Sequence, residues 1–150
     1  MQRRAPTPHR HAVATIAGLL FLLVTPIRLR AQEFAVIVNP GNGASEMSAA
    51  DVAKLFLKRD VKFADGRAAQ PVDQPKTSAV RAAFSKGVLE KPVTAIESYW
   101  SQQVFAGREV PPAVKPNDDA VIAFVRDNPG AIGYVSVNSN LAGVKRVALH

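Results

Sequence analysis

The clearest structural signal in this 150-residue chain is the stretch Asn128-Pro-Gly-Ala-Ile-Gly-Tyr-Val135. Its first three residues favour a turn and end the helix that Asn117 is predicted to cap. The run from Ala131 to Val135 is apolar and bounded by turn residues, which predicts a buried strand. This part of the chain therefore consists of a helix, a tight turn and an inner strand.

Strands and helices also alternate along the rest of the chain. The predicted strands are a buried one over Phe34–Val38, a short hairpin around Asp65-Gly66 and a last strand over Val144–Leu149. The predicted helices run from the N-cap Ser48 to about Leu57, from Thr77 or Ser78 onward, and from the capping box Thr94-x-x-Glu97. An extended segment from Val110 to Pro116 follows them. This alternation predicts one α/β domain with a mixed sheet flanked by helices.

The first 31 residues have the layout of a secretory signal. Arginines precede an apolar run over residues 12–24, and the small residue Ala31 follows. The run is shorter than the roughly 20 residues that a membrane-spanning helix needs. We therefore expect residues 1–31 to be a cleaved signal peptide and residues 32–150 to be a periplasmic domain with no membrane partner. The alternative is an uncleaved N-terminal anchor.

Composition excludes several function classes. Five basic residues and no acid lie in the leader, so the rest of the chain keeps 14 basic against 12 acidic residues, and a nucleic-acid partner is not expected. Cysteine is absent, and the histidines are His9, His11 and the terminal His150. The predicted domain therefore lacks the usual nucleophile and base pairs and the usual zinc ligands. We expect no enzyme activity, no catalytic residue, no metal and no cofactor.

One helix start has an unusual charge pattern. The helix predicted to begin at Thr77 or Ser78 is flanked by Lys76 and Arg81 and has no carboxylate in its first turn. Hydroxyls, a guanidinium and the N–H groups of a helix start suit a bound anion. The structural alternative is that a hydroxyl caps the helix while Arg81 points to water.

Other features have both a structural and a functional explanation. Asp118 and Asp119 fit a helix start better than an acid/base dyad. The turn from Pro40 to Gly43 could present N–H groups to an anion, but it lacks the dinucleotide and P-loop patterns. Tyr99 and Trp100 beside Phe105 follow helical spacing and are expected in the core, the alternative being an aromatic ligand platform.

Taken in order, motifs along the chain resemble the phosphate ABC transporter substrate-binding family. They are Val36-Ile-Val-Asn39, Ser48-x-x-Asp51-Val-x-x-Leu-Phe56, Asp65-Gly66 before Pro71-Val72, Ser78-x-x-Arg81-x-x-Phe84, Tyr99-Trp100, Phe105-x-Gly107 and the stretch from Asn128 to Val135. Members of this family have two lobes and about twice this length. The resemblance implies one lobe of a periplasmic-binding-protein-like fold.

The resemblance also implies a ligand and partners. In the family a Ser-Gly-Thr motif at a helix start contacts phosphate and an arginine precedes it. Here Ser78 keeps the serine, Ala79 and Val80 replace the other two residues, and Gln74 stands near the arginine position. The expected function is solute binding, with phosphate or another oxyanion held by Thr77, Ser78 and Arg81 for an ABC permease. The alternative is a ligand-free interaction module for an envelope protein, and a homodimer could replace the missing lobe.

Overall fold

The computed structural model describes residues 33–150, so the predicted signal peptide lies outside the described residues. The elements in chain order are β1 (Phe34–Val38), β2 (Glu46–Met47), α1 (Ala49–Phe56), β3 (Gln70–Asp73), α2 (Ala79–Gly87), α3 (Val93–Phe105), β4 (Ala113–Val114), α4 (Asp118–Asp127), β5 (Ala131–Ser136) and β6 (Lys145–Leu149). The predicted α/β class is confirmed.

The strands form one mixed sheet in the order β2-β6-β1-β5-β3-β4. The central strand β1 runs antiparallel to β5 and β6, whereas β3 runs parallel to β5 and β4. The two long apolar runs of the sequence, β1 and β5, are therefore neighbours in the middle of the sheet. This position explains why both are apolar without alternation, since helices cover the sheet on both sides.

Side chains of β1 alternate between two cores. Val36 and Val38 face a cluster with α1 and α2, and Ile37 faces a cluster with α4. In the first cluster the Phe84 and Tyr134 rings are stacked, with centroids 4.0 Å apart. The sheet thus has α1 and α2 on one face and α4 on the other.

Gly133 in β5 allows the close approach of α4. A Cβ atom at this position would lie 2.7 Å from Val121 Cγ1 and 2.9 Å from Val72 Cγ1. Real Cβ atoms do not approach other carbons so closely, so glycine is required here for packing rather than for a turn.

The helix caps agree with the sequence at three of four helices. Ser48, Ser78 and Asn117 each accept a hydrogen bond from a backbone N–H of the first turn of their helix. The predicted capping box at Thr94 is wrong. Helix α3 already begins at Val93 after the N-cap Pro92, which has no side chain able to cap. The backbone of Pro92 is extended, with φ −67° and ψ 156°, and this helix starts without a side-chain cap.

The aromatic residues near the end of α3 separate into two groups. Trp100 is buried with Leu57 and Ile96, and Tyr99 is half-buried and donates a hydrogen bond to the Leu57 carbonyl at 2.8 Å. Phe105, in contrast, is 95% exposed. The last turn of α3 extends beyond the elements on which its first turns pack.

Within residues 33–150, no helix is long and apolar enough to cross a bilayer. The same part of the chain contains no group of three or more histidine, cysteine, aspartate or glutamate side chains arranged to hold a metal ion.

Candidate functional site

The predicted anion site lies at the start of α2. Ser78 is the N-cap of this helix, and its Oγ accepts a hydrogen bond from the Arg81 N–H at 3.2 Å. The same hydroxyl donates to Gln74 Oε1 at 2.9 Å. Thr77 is exposed beside it. The hydroxyl proton of Ser78 is therefore used inside the protein, whereas Thr77 is an exposed residue.

Arg81 points into the protein. Its Nη2 lies 3.1 Å from Asp73 Oδ2, and the two side chains are only 10% and 14% exposed. Its Nη1 donates to the Gln74 carbonyl at 2.8 Å. The guanidinium thus neutralises a buried carboxylate and holds the segment between β3 and α2.

Tyr134 completes this buried pair from the neighbouring strand. Its hydroxyl donates to Asp73 Oδ1, the oxygen that also accepts the Gln74 N–H at 2.8 Å. Desolvation by burial, followed by the negative charge of Asp73, raises the pKa of the Tyr134 phenol above its ordinary value. Tyr134 is therefore a neutral hydrogen-bond donor at any physiological pH.

Gln74 links the start of α2 to the start of α4. It is 3% exposed, and its Nε2 donates to Asp118 Oδ1 at 2.7 Å and to the Tyr134 carbonyl at 3.0 Å. The other carboxylate oxygen of Asp118 accepts the Ser136 N–H at 3.0 Å and the Ser139 hydroxyl at 2.7 Å. Asp118 is thus neither a simple helix cap nor half of an acid/base dyad, because its oxygens connect α4 to the end of β5.

An open cleft of about 520 Å³ lies between the starts of α2 and α4. Its walls are formed by Gln74, Pro75, Thr77, Ser78, Val80, Pro116, Asn117, Asp118, Asp119 and Ser139. Thr77 and Ser78 both line this cleft. The wall of this cleft contains two carboxylates and no cationic side chain. Lys76 is exposed nearby, with its Nζ 3.9 Å from Glu97 Oε1.

Arg81 does not line this cleft. It borders a smaller cavity of about 10 Å³ together with Phe56, Trp100 and Tyr134. That volume holds about one water molecule. The structure therefore separates Arg81 from the two hydroxyls with which the sequence grouped it.

The turn after β1 has a structural role. Asn39 Oδ1 accepts the Gly41 N–H at 2.9 Å, and Asn42 Oδ1 accepts the Ala44 N–H at 2.9 Å. The Asn39 side-chain amide donates to the carbonyl of Arg126 at the end of α4, at 2.7 Å. The turn's own side chains thus take N–H groups that an anion would need, which favours the plain turn over an anion loop.

Sequence reasoning missed the polar network of Asp73, Gln74, Tyr134 and Asp118. One signal pointed to it, because Asp73 and Gln74 follow the apolar Val72 directly and precede a helix start. Polar residues at the end of an inner strand must find partners when they are buried. Which partners they find depends on the neighbouring strand and on α4, and neither is adjacent in sequence.

Of the comparisons with known proteins, the one with solved structures supports the fold. No protein-family model matches the chain, and no curated protein matches it significantly. Solved structures do match the chain, and the following three are among them. One, from Clostridium perfringens, is described as a phosphate ABC transporter substrate-binding protein with bound phosphate; it has a TM-score of 0.63 at 18% identity, over 78% of this chain and 44% of that one.

The second is an ABC-type phosphate transport receptor from Vibrio cholerae, with a TM-score of 0.61, 16% identity, and coverage of 78% of this chain and 46% of the receptor. The third is described as a possible phosphate-binding protein from Planctomyces limnophilus, with a TM-score of 0.60, 19% identity, and coverage of 79% and 41%. The chain therefore has the fold of one lobe of such proteins and spans less than half of their length. At these identities the similarity concerns the fold alone.

Proposed function

We propose that this chain is an exported, non-catalytic protein of the solute-binding type. In this proposal residues 1–31 are a signal peptide that is removed, and residues 32–150 act as a single domain in the periplasm. The leader layout of the sequence supports export. The fold, shared with proteins described as substrate-binding proteins and transport receptors, supports binding rather than catalysis.

The ligand in this proposal is phosphate or another small oxyanion, received at the first turn of α2. The observation that carries it is the opening of this helix start onto the cleft, with the Thr77 hydroxyl exposed and Ser78 in the cleft wall. The first N–H groups of a helix have no partner within the helix, so those of Ala79 and Val80 add donors for an anion. The bound phosphate of the similar Clostridium perfringens structure gives the ligand class a precedent.

Arg81 has a positioning role in this proposal. Its guanidinium is bound to Asp73 and to the Gln74 carbonyl, and it borders the smaller cavity instead of the cleft. It holds the segment that leads into α2, so that Thr77 and Ser78 face the cleft. We expect weak affinity, because the cleft is open to water and Asp118 and Asp119 in its wall repel anions.

A second candidate is a ligand-free interaction module of the cell envelope. The carboxylates in the cleft wall favour it, as does the use of the Ser78 proton by Gln74. In this case an ABC permease or another envelope protein would cover the cleft. A second copy of the chain could also do so, since the chain spans less than half of the similar structures.

The test is calorimetric titration of the exported protein with phosphate and then with sulfate. The intact mass of the purified product reports whether residues 1–31 have been removed. We expect saturable binding in the millimolar range, weakened about tenfold or more in Thr77→Val, since a hydrogen bond to a charged group contributes about 1.5–3 kcal/mol. Thr94→Val is the matched control, because Thr94 is also an exposed threonine near a helix start but lies on α3.

Two outcomes would contradict the ligand proposal. If a folded sample gives no heat with either anion, the interaction module becomes the better explanation. If Thr94→Val weakens binding as much as Thr77→Val does, the anion binds somewhere other than the start of α2.

A further inference from the structure

The Ser78 hydroxyl uses both of its hydrogen-bonding functions within the protein. Its oxygen accepts the Arg81 N–H at 3.2 Å as the N-cap of α2, and its proton is donated to Gln74 Oε1 at 2.9 Å. A serine hydroxyl has a single proton to donate. Ser78 therefore lies in the wall of the cleft with no proton left for a ligand there.

The orientation of the Gln74 amide is fixed by acceptors on its other side. Its Nε2 lies 2.7 Å from Asp118 Oδ1 and 3.0 Å from the Tyr134 carbonyl oxygen. A carboxylate and a carbonyl can only accept hydrogen bonds, so the NH₂ end of the amide has to face them. The carbonyl end then faces Ser78. The partners of Gln74 thus decide where the proton of Ser78 points.

Burial makes this arrangement costly to leave. Gln74 is 3% exposed, so its Oε1 has little access to water. If Ser78 turned its proton to a bound anion, that oxygen would lose this donor. The free energy gained from a hydrogen bond to a charged group is similar to the cost of leaving a buried polar atom without its partner. In the wild type, the exchange therefore brings little gain in affinity.

We propose that Gln74 is a positioning residue that lowers the affinity of the cleft for oxyanions, because it keeps the Ser78 proton away from the ligand. This role rests on the proposed function, since it concerns the anion site at the start of α2. Gln74 acts through Ser78, so removal of its amide strengthens anion binding. A purely structural role for Gln74 predicts the opposite change.

Methionine in place of Gln74 removes the acceptor of the Ser78 proton and keeps an unbranched side chain of similar length. Ser78 Oγ can still accept the Arg81 N–H, so the cap of α2 remains while the hydroxyl proton turns to the cleft. The substitution also takes a hydrogen-bond donor from Asp118, which leaves the negative charge of that carboxylate less compensated. That second effect weakens anion binding, so tighter binding would come from the freed hydroxyl.

The experiment is calorimetric titration of the purified full-length product with phosphate, with its leader state determined by mass. We expect Gln74→Met to bind phosphate about tenfold more tightly than the wild type, from one added hydrogen bond to a charged group. The double variant Gln74→Met/Ser78→Ala should lose this gain. Gln70→Met is the matched control, because Gln70 is exposed at the other end of β3 and does not line the cleft. It should bind like the wild type.

The outcomes separate this role of Gln74 from the proposed function. If Gln74→Met and the wild type bind phosphate equally, the role is overturned and the proposed function stands. If Gln74→Met binds and the wild type does not, the role is supported and anion binding by the wild type is contradicted. If neither folded protein binds, both are overturned.

Ser78→Ala in the wild-type background decides the case in which thermal unfolding shows that Gln74→Met is not folded. It should weaken phosphate binding less than Thr77→Val does, because Ser78 donates no proton to the ligand while Gln74 is present. An equal or greater loss in Ser78→Ala would show that Ser78 already donates to the anion, and it would overturn the proposal.

Discussion

Replacement of Arg81 by methionine should destabilise the domain strongly. Methionine keeps most of the apolar stem of the side chain but removes the guanidinium that lies 3.1 Å from Asp73. Asp73, only 14% exposed, would then be a buried carboxylate with hydrogen bonds but without a counter-charge. Breaking a buried ion pair in this way costs about 3–5 kcal/mol.

That cost corresponds to a large change in melting temperature. Unfolding entropy is about 2.1 cal/mol/K per residue, so for the 118 described residues the expected fall in Tm is about 12–20 °C. Urea denaturation at neutral pH measures the free energy directly, and differential scanning calorimetry measures the Tm. Anion titration of the variant at a temperature where it is folded should give a weaker affinity than the wild type, because Arg81 holds the segment that brings Thr77 and Ser78 to the cleft.

The double variant Asp73→Asn/Arg81→Met separates the ion pair from general packing. Without the buried charge it should recover most of the lost stability, giving a coupling energy of about 2–3 kcal/mol in the double-mutant cycle. The reasoning is refuted if Arg81→Met costs less than about 1 kcal/mol, the value of an exposed pair. Wild-type anion affinity in the folded variant would show that Arg81 does not position the start of α2.

Two further predictions concern β5. Gly133→Ala should lower the free energy of unfolding, measured by urea denaturation, by about 1–3 kcal/mol, because the new Cβ would overlap Val121. The control Gly43→Ala should have little effect, because its Cβ would meet no atom closer than 3.8 Å. Equal effects of the two substitutions would contradict this packing. Tyr134 has a raised pKa in the folded state, so its phenol stabilises the fold below its unfolded pKa of about 10, and this stability is lost as the pH rises further. Above that pH the free energy of unfolding of the wild type should fall by up to about 1.4 kcal/mol per pH unit relative to Tyr134→Phe, which lacks the phenol group. Parallel plots of this free energy against pH for the two proteins would show that burial and Asp73 do not raise the pKa of the phenol.

The strands and most helices of this protein can be read from local patterns. The runs Phe34–Val38 and Ala131–Val135 are apolar without alternation, and this property already indicated strands covered on both faces. Ser48 and Asn117 predicted their helix starts because capping depends on a few neighbouring residues. The capping-box pattern at Thr94 predicted the wrong helix start, because α3 begins at Val93 after Pro92, without a side-chain cap.

The candidate site was predicted only in part. Thr77 and Ser78 do face one cleft, and they were found because a helix start without acids is visible in the sequence. The direction of Arg81 could not be found in this way. A charged side chain beside two hydroxyls could reach the same ligand, and it turns inward here because Asp73 at the end of β3 offers a closer counter-charge.

By itself, the sequence determined the α/β class, the inner strands and the capped helices, and it shows that residues 32–150 contain no cysteine and no histidine other than His150. These properties depend on composition and on residues a few positions apart. Only the tertiary structure decided that Gln74 connects Ser78 to Asp118, that Asp73 holds Arg81 away from the cleft, and that Phe105 is exposed. Each of these features depends on groups far apart in sequence, or on how far the sheet and helices extend. The energy of a buried polar group depends on which distant partner the fold brings to it.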